Sequence, residues 1–401
     1  MLNLPNQIKR KMTVLLLAAA PLFAQQDGVK SRPQKSFEQG NKLSQAQLMP
    51  GNNAPANFKV ADSWDVYATA SYIYWQAQQE NIEIGLISLD NSLGLGAGEN
   101  PFNTSDKNNT SITNPNFTYR PGFKFGIGAN LGWDGWDAFA EYTWFHGSTG
   151  SGVRELANPP VLSALPPNNP KLYPFQVEET QIVGSPLFFE NANQSWGLKM
   201  DFLDLSMGRS YYSGTKLTMR PFFGARGAWI RQTLKTSYNG LFYISSSQRK
   251  PQIESNNYST SWGVGPRAGF ESNWLLGYGL RLIGNGSADI LYTRYETRKN
   301  DLAITGADPE DIPNPVVQNA TVLQTVDYLR GHVDLEMGFG WGSYFDNENW
   351  HIDLSASYGF QIFWDQNMFR NFEEPRFVTK SFAPNGNLYV HGVTVNGRLD
   401  F

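Results

Sequence analysis

The chain has no cysteine, which excludes disulfide frameworks and thiolate metal sites. Histidine is nearly as scarce, four in 401 residues, so few imidazoles are on hand for a metal centre. Beyond residue 24 there is no apolar run approaching the roughly 18 residues of a membrane-spanning helix. If this chain crosses a bilayer it does so as a closed barrel, because only helices and barrels satisfy every backbone polar group in lipid. Basic residues are outnumbered 32 to 36, whereas nucleic-acid binding calls for Lys and Arg clustered on one face. Nucleic acid is therefore not an expected partner. Apolar residues make up only 40%, while aromatics reach 14% and glycines number 38.

The N-terminus reads as an export signal over residues 1–24. Lys9, Arg10 and Lys11 precede an apolar run from Met12 to Phe23, with Ala24 before the expected cut. Removing it leaves 29 basic against 36 acidic residues. Residues 25–60 are polar and broken by Pro33, Pro50, Gly51 and Pro55, and read as a flexible periplasmic arm.

From 61 to 401 the period is two, the signature of strands with one apolar face. Ala68, Ala70, Tyr72 and Tyr74 form the first stripe, then Phe123, Phe125 and Ile127, then Trp136, Ala138, Ala140, Tyr142 and Trp144. Asp134-Gly135 between the last two predicts a tight hairpin. The fourth segment places Trp196, Leu198, Met200 and Phe202 outward, then slips to Leu203, Leu205 and Met207, predicting a bulge at Phe202 and Leu203. Pro221 and Pro266 lie inside the next two predicted strands and predict a shared irregularity. Two later stripes, Leu329 to Trp341 and Trp350 to Trp364, carry no charge. A basic residue facing lipid at mid-depth costs about 2 to 4 kcal/mol, so its absence points to lipid rather than water.

Counting the segment Leu388 to Phe401 gives ten strands of an all-β, antiparallel, closed transmembrane barrel, with twelve or more left open by Ile82–Leu89 and Leu234–Ile244. Short links near 132–135, 209–214, 272–277 and 343–349 alternate with long ones near 78–116, 147–193, 233–256, 296–326 and 365–387. The short links are expected in the periplasm and the long ones outside. Trp64, Trp133, Trp136, Trp274, Trp341 and Trp350 all fall at the short-link end, where a headgroup girdle is expected. The last strand ends on Phe401, the pattern of a closing strand that engages the barrel-assembly machinery.

The opposite faces collect charge of both signs. The expected pore-lining set is Lys124, Asp137, Glu141, Lys199, Asp201, Asp204, Arg220, Arg226, Arg267, Glu271, Arg281, Asp289, Arg330, His332, Asp334, Glu336, His351, Asp353, Arg398 and Asp400. In a wet lumen such walls bias ion and solute passage; in a narrow barrel they pair and fill it. Inward glycines such as Gly126, Gly128, Gly340 and Gly342 mean open space or close approach of large side chains. No nucleophile, base and orienting group stand together, and Gly263, Gly265 and Ala268 mimic a dinucleotide fingerprint without the helix it needs. No enzyme, cofactor or metal is expected.

The phrases Tyr-Ile-Tyr-Trp at 72–75, Glu-Tyr-Thr-Trp-Phe-His at 141–146, Arg-Pro-Phe-Phe-Gly at 220–224, Gly-Pro-Arg-Ala-Gly at 265–269 and Gly-Trp-Gly-Ser-Tyr-Phe at 340–345 occur in order. They resemble the major-outer-membrane-protein-like pore-forming proteins of Legionella and chlamydia-like bacteria, over roughly residues 64–370. The resemblance implies a surface-exposed outer-membrane barrel acting as a pore. Chlamydial relatives are cysteine rich and cross-linked; with no cysteine here, that envelope role does not carry over. The expected function is passive diffusion of ions and small hydrophilic solutes. The alternative is a plugged barrel serving as an adhesin or structural surface protein. Outer-membrane lipid is an expected partner, and a homo-oligomer is compatible with the pattern.

Overall fold

A computed structural model describes residues 54–61, 64–88, 110–132, 134–149, 154–155, 171–176, 189, 191–239, 242–244, 247–307, 316–373 and 380–401. The expected signal segment, residues 25–53 of the arm, and Trp133 lie outside these. Ten strands form one antiparallel ring: β1 (Val66–Gln79), β2 (Tyr119–Asn130), β3 (Trp136–Ser148), β4 (Asn191–Arg209), β5 (Leu217–Asn239), β6 (Ser247–Gly277), β7 (Leu280–Ala307), β8 (Val316–Phe345), β9 (Trp350–Phe363) and β10 (Leu388–Asp400). The ring closes because β1 pairs with β10 along its length, from Tyr67 opposite Asp400 to Gln79 opposite Leu388. The extra segments add no barrel strand: Leu234–Asn239 lengthens β5, and Gly85–Ser88 pairs only with Thr110–Thr113 and Lys171–Pro174.

Alternation sets the two faces. Odd positions of β1 are buried, while Tyr72 and Tyr74 are exposed; on β8, Leu329, Leu335, Met337 and Phe339 are 53 to 70% exposed. Such a width of exposed apolar surface around a closed ring suits hydrocarbon and not water. Trp64, Trp274, Trp341, Trp350 and Phe401 are exposed at the short-link end. The links there are tight. Leu131 N donates to Trp136 O at 2.8 Å, and within the four residues between them Gly132, Asp134 and Gly135 take φ of 68°, 52° and 72°, left-handed values that Gly and Asp tolerate best. In that turn Asp134 accepts hydrogen bonds from Arg209 at 2.8 and 3.0 Å, and the guanidinium holds its carboxyl below the usual range.

Three expectations are corrected. First, β4 has no bulge: its register with β3 and β5 runs unbroken through Phe202 and Leu203. Trp196, Leu198, Met200 and Phe202 therefore share the inner face, while Leu205 is exposed outside. Hydrophobicity alone set the expected phase, and here both faces are apolar in turn. Second, the prolines shift no register. Pro221 and Pro266 pair in step between β5 and β6. The β6–β7 ladder omits the pairs at Gly265 and Pro266 and resumes in phase at Arg267 opposite Asp289. A Cβ on Gly265 would sit 1.9 Å from the Ile290 carbonyl oxygen, so that close approach needs glycine.

Third, the links 233–256 and 296–326 are mostly strand. β5, β6, β7 and β8 have 23, 31, 28 and 30 residues, far beyond the 9 to 11 or so that a tilted crossing needs. Outside the lipid band the outer faces of these strands turn mostly polar and the inner faces mix polar residues with buried apolar ones such as Leu234, Tyr238 and Ile253, so the alternation that marks a strand in sequence disappears. β5 runs to Asn239, Phe242–Ile244 pairs with the start of β6 at Ser247, and β7 runs to Ala307 before β8 starts at Val316; the β6–β7 turn is Tyr278-Gly279 rather than 272–277, since Trp274 is still paired.

Candidate functional site: the lumen

The inner faces at mid-height carry a connected charge network. Arg226 of β5 donates to Asp204 of β4 at 2.6 and 2.7 Å and to Asp289 of β7 at 3.0 Å. His332 Nδ1 of β8 lies 2.8 Å from both the Asp289 carboxylate and the Arg226 guanidinium. Arg267 reaches Asp204 at 3.1 Å, and Lys124 approaches Glu141 at 3.6 Å. Glu336 accepts from Ser357 and, at 3.4 Å, from Asn285. Asp334 stands on the same inner face. Charges taken out of water persist only when paired and hydrogen-bonded, which is why both signs recur here.

A second tier lies toward the short links. Arg220 meets Asp137 and, at 2.9 Å, Glu271. Arg281 meets Asp353, Arg398 donates to Asp400 at 2.5 Å, and His351 Nδ1 is 2.9 Å from Asp400. The inner glycines face this filling. A Cβ on Gly340 would stand 2.9 Å from the Arg281 guanidinium carbon, and one on Gly128 would stand 2.2 Å from the Tyr67 ring. Between the two readings of these glycines, close approach of large side chains is the one observed.

Residues 54–61 cross this mouth. Ala56 N donates to Ser210 O at 3.0 Å and Tyr212 N to Ala54 O at 2.9 Å, at the β4–β5 link. Asn57 Nδ2 donates to Asn130 Oδ1 at 3.0 Å. Phe58 stacks on His351, ring centroids 4.0 Å apart, with the Arg398 guanidinium 5.2 Å away. Ala61 N then bonds Glu348 O at 2.9 Å in the β8–β9 link. The β4–β5 and β8–β9 links stand four strands apart in the ring, so the segment is a chord. Eight extended residues reach at most about 27 Å, enough for the roughly 20 Å backbone diameter of ten tilted strands.

Toward the long links an apolar cluster edged by polar contacts fills the lumen. Ile73, Trp75, Phe145, Trp196, Met200, Phe202 and Phe363 form one buried cluster with Ile82 and Phe369 from the long links. Tyr238 and Gln194 donate to the carbonyls of Ile84 and Ile82, at 2.5 and 2.8 Å. Lys299 Nζ donates to Gln176 O at 2.6 Å. Gln366 accepts from Tyr295 at 2.9 Å and donates to Ser261 at 3.2 Å. Between Ile230, Leu291, Arg330 and Phe363 a cavity of about 10 Å³ remains, room for roughly one water.

Of the twenty expected lumen residues, eighteen share the inner face, Arg330 among them at 3.4 Å from Asp365. Lys199 and Asp201 do not; they point outward with the corrected phase of β4, where Asp201 accepts from Tyr142 at 2.9 Å and lies 3.5 Å from His146. The chord at 54–61 and the inward Gln366–Phe369 segment have no periodic signature and were not expected. Asn57-Phe58, a lone aromatic within a polar stretch, is the one sequence hint.

The family model of the Legionella pneumophila major outer membrane protein precursor matches residues 58–401. The chain belongs to this family. Its location is accordingly the outer membrane, where the exposed stripes have their solvent. No curated protein matches the chain in sequence. Among solved structures it is similar to the outer membrane protease OmpT from Escherichia coli, at 9% identity over 86% of this chain and 98% of that one, TM-score 0.34. A Pseudomonas aeruginosa FadL homologue matches at 6% over 84% and 89%, TM-score 0.26. The Pseudomonas putida toluene transporter TodX matches at 9% over 84% and 90%, TM-score 0.21. Scores this low carry nothing about activity.

Proposed function

We propose that this family member is a gated pore for ions and small hydrophilic solutes, closed in the conformation described, with its long links facing outside and its short links facing the periplasm. The observation that supports it best is the chord at residues 54–61. The lumen is crossed there by a segment held through a few hydrogen bonds and one stacked ring, so it is released without breaking the strand ladder. The two-signed tier behind it would favour small polar solutes over apolar ones. The closing strand would dock on the assembly machinery as its stripe and final Phe401 suggest.

The test is conductance of the purified, refolded chain in a planar bilayer, beside a variant with Asn57→Ala and Phe58→Ala. The expected result is rare openings for the parent and a several-fold higher open fraction for the variant. Silence from both, with folding intact, removes the pore reading. A second reading, a permanently plugged surface barrel, is favoured by one observation: the Arg226 network and the Phe202–Phe363 stack at 5.6 Å fill the middle of the lumen. A hydrolase gains nothing from the His332–Asp289 and His351–Asp400 pairs, since both imidazoles are at most 1% exposed and out of a substrate's reach.

A further inference from the structure

On the outward face of β3, β4 and β5, His146, Lys199 and Arg231 stand directly opposite one another in one cross-strand row. Lys199 and Arg231 are like charges facing each other across the ladder, which destabilises it. Lys199 and Arg231 are exposed, as is Lys235 four residues further along the same face of β5. Among the described residues none of these three has a carboxylate within ion-pair distance, whereas Arg294 two strands on is matched by Asp327 at 3.0 Å. The nearest acid, Asp201, is engaged by Tyr142 and His146 on its β3 side. Thr260 of β6 stands opposite Arg231 and adds no charge. A local excess of positive charge on a chain of net charge −4 calls for an anion from elsewhere.

The position of the row says which anion. The next outward row toward the short links reads Trp144, Asp201, Trp229, Trp262, with Trp262 39% exposed. Indoles on a lipid-facing wall mark the headgroup level. The cations therefore sit where hydrocarbon gives way to phosphate, on the long-link side. Guanidinium takes phosphate oxygens in a two-pronged grip and ammonium takes them as a point charge. Lys235 lies about 13 Å along β5 from Arg231, beyond the reach of one phosphate, so it would meet a second.

We propose that His146, Lys199, Arg231 and Lys235 form a binding site for the phosphate groups of an anionic lipid headgroup in the leaflet at the long-link end. The site rests on the wall facing lipid and is independent of whether the lumen conducts. Binding neutralises the like-charge row and ties β3, β4 and β5 together from outside.

The full chain, folded in phosphatidylcholine nanodiscs with or without bisphosphorylated lipid A, is examined by native mass spectrometry for retained lipid. Retention of lipid A is expected, with the Lys199→Gln, Arg231→Gln double variant weaker by roughly tenfold, as for the loss of one or two charge-assisted contacts. Dephosphorylated lipid A retained equally well would overturn the proposal. So would an Arg298→Gln variant, altered on the same outward face away from the row, losing as much as the double variant. Millimolar inorganic phosphate displacing lipid A completely would make the site one for free phosphate and contradict the lipid assignment. The glutamine variants keep strand geometry, and unchanged bilayer conductance in them separates this result from the fate of the pore reading.

Discussion

Arg226 of β5 and Asp204 of β4 are direct ladder partners whose side chains meet through two parallel hydrogen bonds of 2.6 and 2.7 Å, both buried inside the ring. Asp289 shares the same guanidinium. With Arg267 also reaching Asp204 at 3.1 Å, two guanidiniums balance the two carboxylates in a space that water barely enters.

Replacing Arg226 by Met leaves buried Asp289 with His332 alone and Asp204 with Arg267 alone. Loss of one partner from a buried pair costs roughly 3 to 5 kcal/mol. The Arg226→Met chain is expected to unfold at markedly lower denaturant than the parent, followed by tryptophan fluorescence in detergent. Adding Asp289→Asn should return part of the loss, because the carboxylate left without a guanidinium goes with it.

Trp196 is 2% exposed and donates to Gln232 at 3.0 Å. Its truncation to Ala should cost roughly 3 to 5 kcal/mol through the cavity left behind, while Leu205→Ala, on the lipid side of the same strand, should cost far less. The same unfolding measurement decides between this phase of β4 and the bulged one, in which Trp196 and Leu205 would both face lipid and both truncations would cost little.

Leu335 stands in the middle of the β8 stripe, 53% exposed. Leu335→Arg should destabilise insertion by about 2 to 4 kcal/mol, measured as the folded fraction in vesicles against urea. Arg at Leu323, 70% exposed near the far end of β8, should cost little, since that stretch of strand lies beyond the lipid band.

Arg220 holds Asp137 and Glu271 together at the short-link mouth. Arg220→Gln frees both carboxylates toward the lumen, so any current through an open channel should become more cation selective. Reversal potential in a salt gradient reads this: a shift toward the cation's equilibrium potential is expected, and an unmoved value would place Arg220 off the conduction path.

Much of the ring was legible because lipid imposes period two on the wall. The stripes on β1, β2, β3, β8 and β9 carry the phase unaided, and the charges between them fall inward as their alternation requires. The failures lie where that constraint lapses. On β4 the inner residues Trp196 to Phe202 are as apolar as the outer Leu203 to Met207, so hydrophobicity has no phase to report. Beyond the lipid band, the outer faces of β5 to β8 turn mostly polar while the inner ones are mixed, and these stretches read as loops. Residues 54–61 make their contacts with residues more than seventy positions away, such as Asn130 and His351, and nothing local announces them. The ion pairs follow the same logic: sequence placed Arg226, Asp204 and Asp289 on inner faces, but their partnership depends on the register between strands.

The account rests most on which residues meet lipid. The cysteine-free chain allows single cysteines to be introduced one at a time from Leu354 to Ile362 on β9 and spin-labelled in reconstituted vesicles. Labels at 354, 356, 358, 360 and 362 should collide with dissolved oxygen in the hydrocarbon, while those at 355, 357, 359 and 361 should be shielded. Uniform shielding at every position, as in two sheets meeting in a dry core, would contradict the barrel described here.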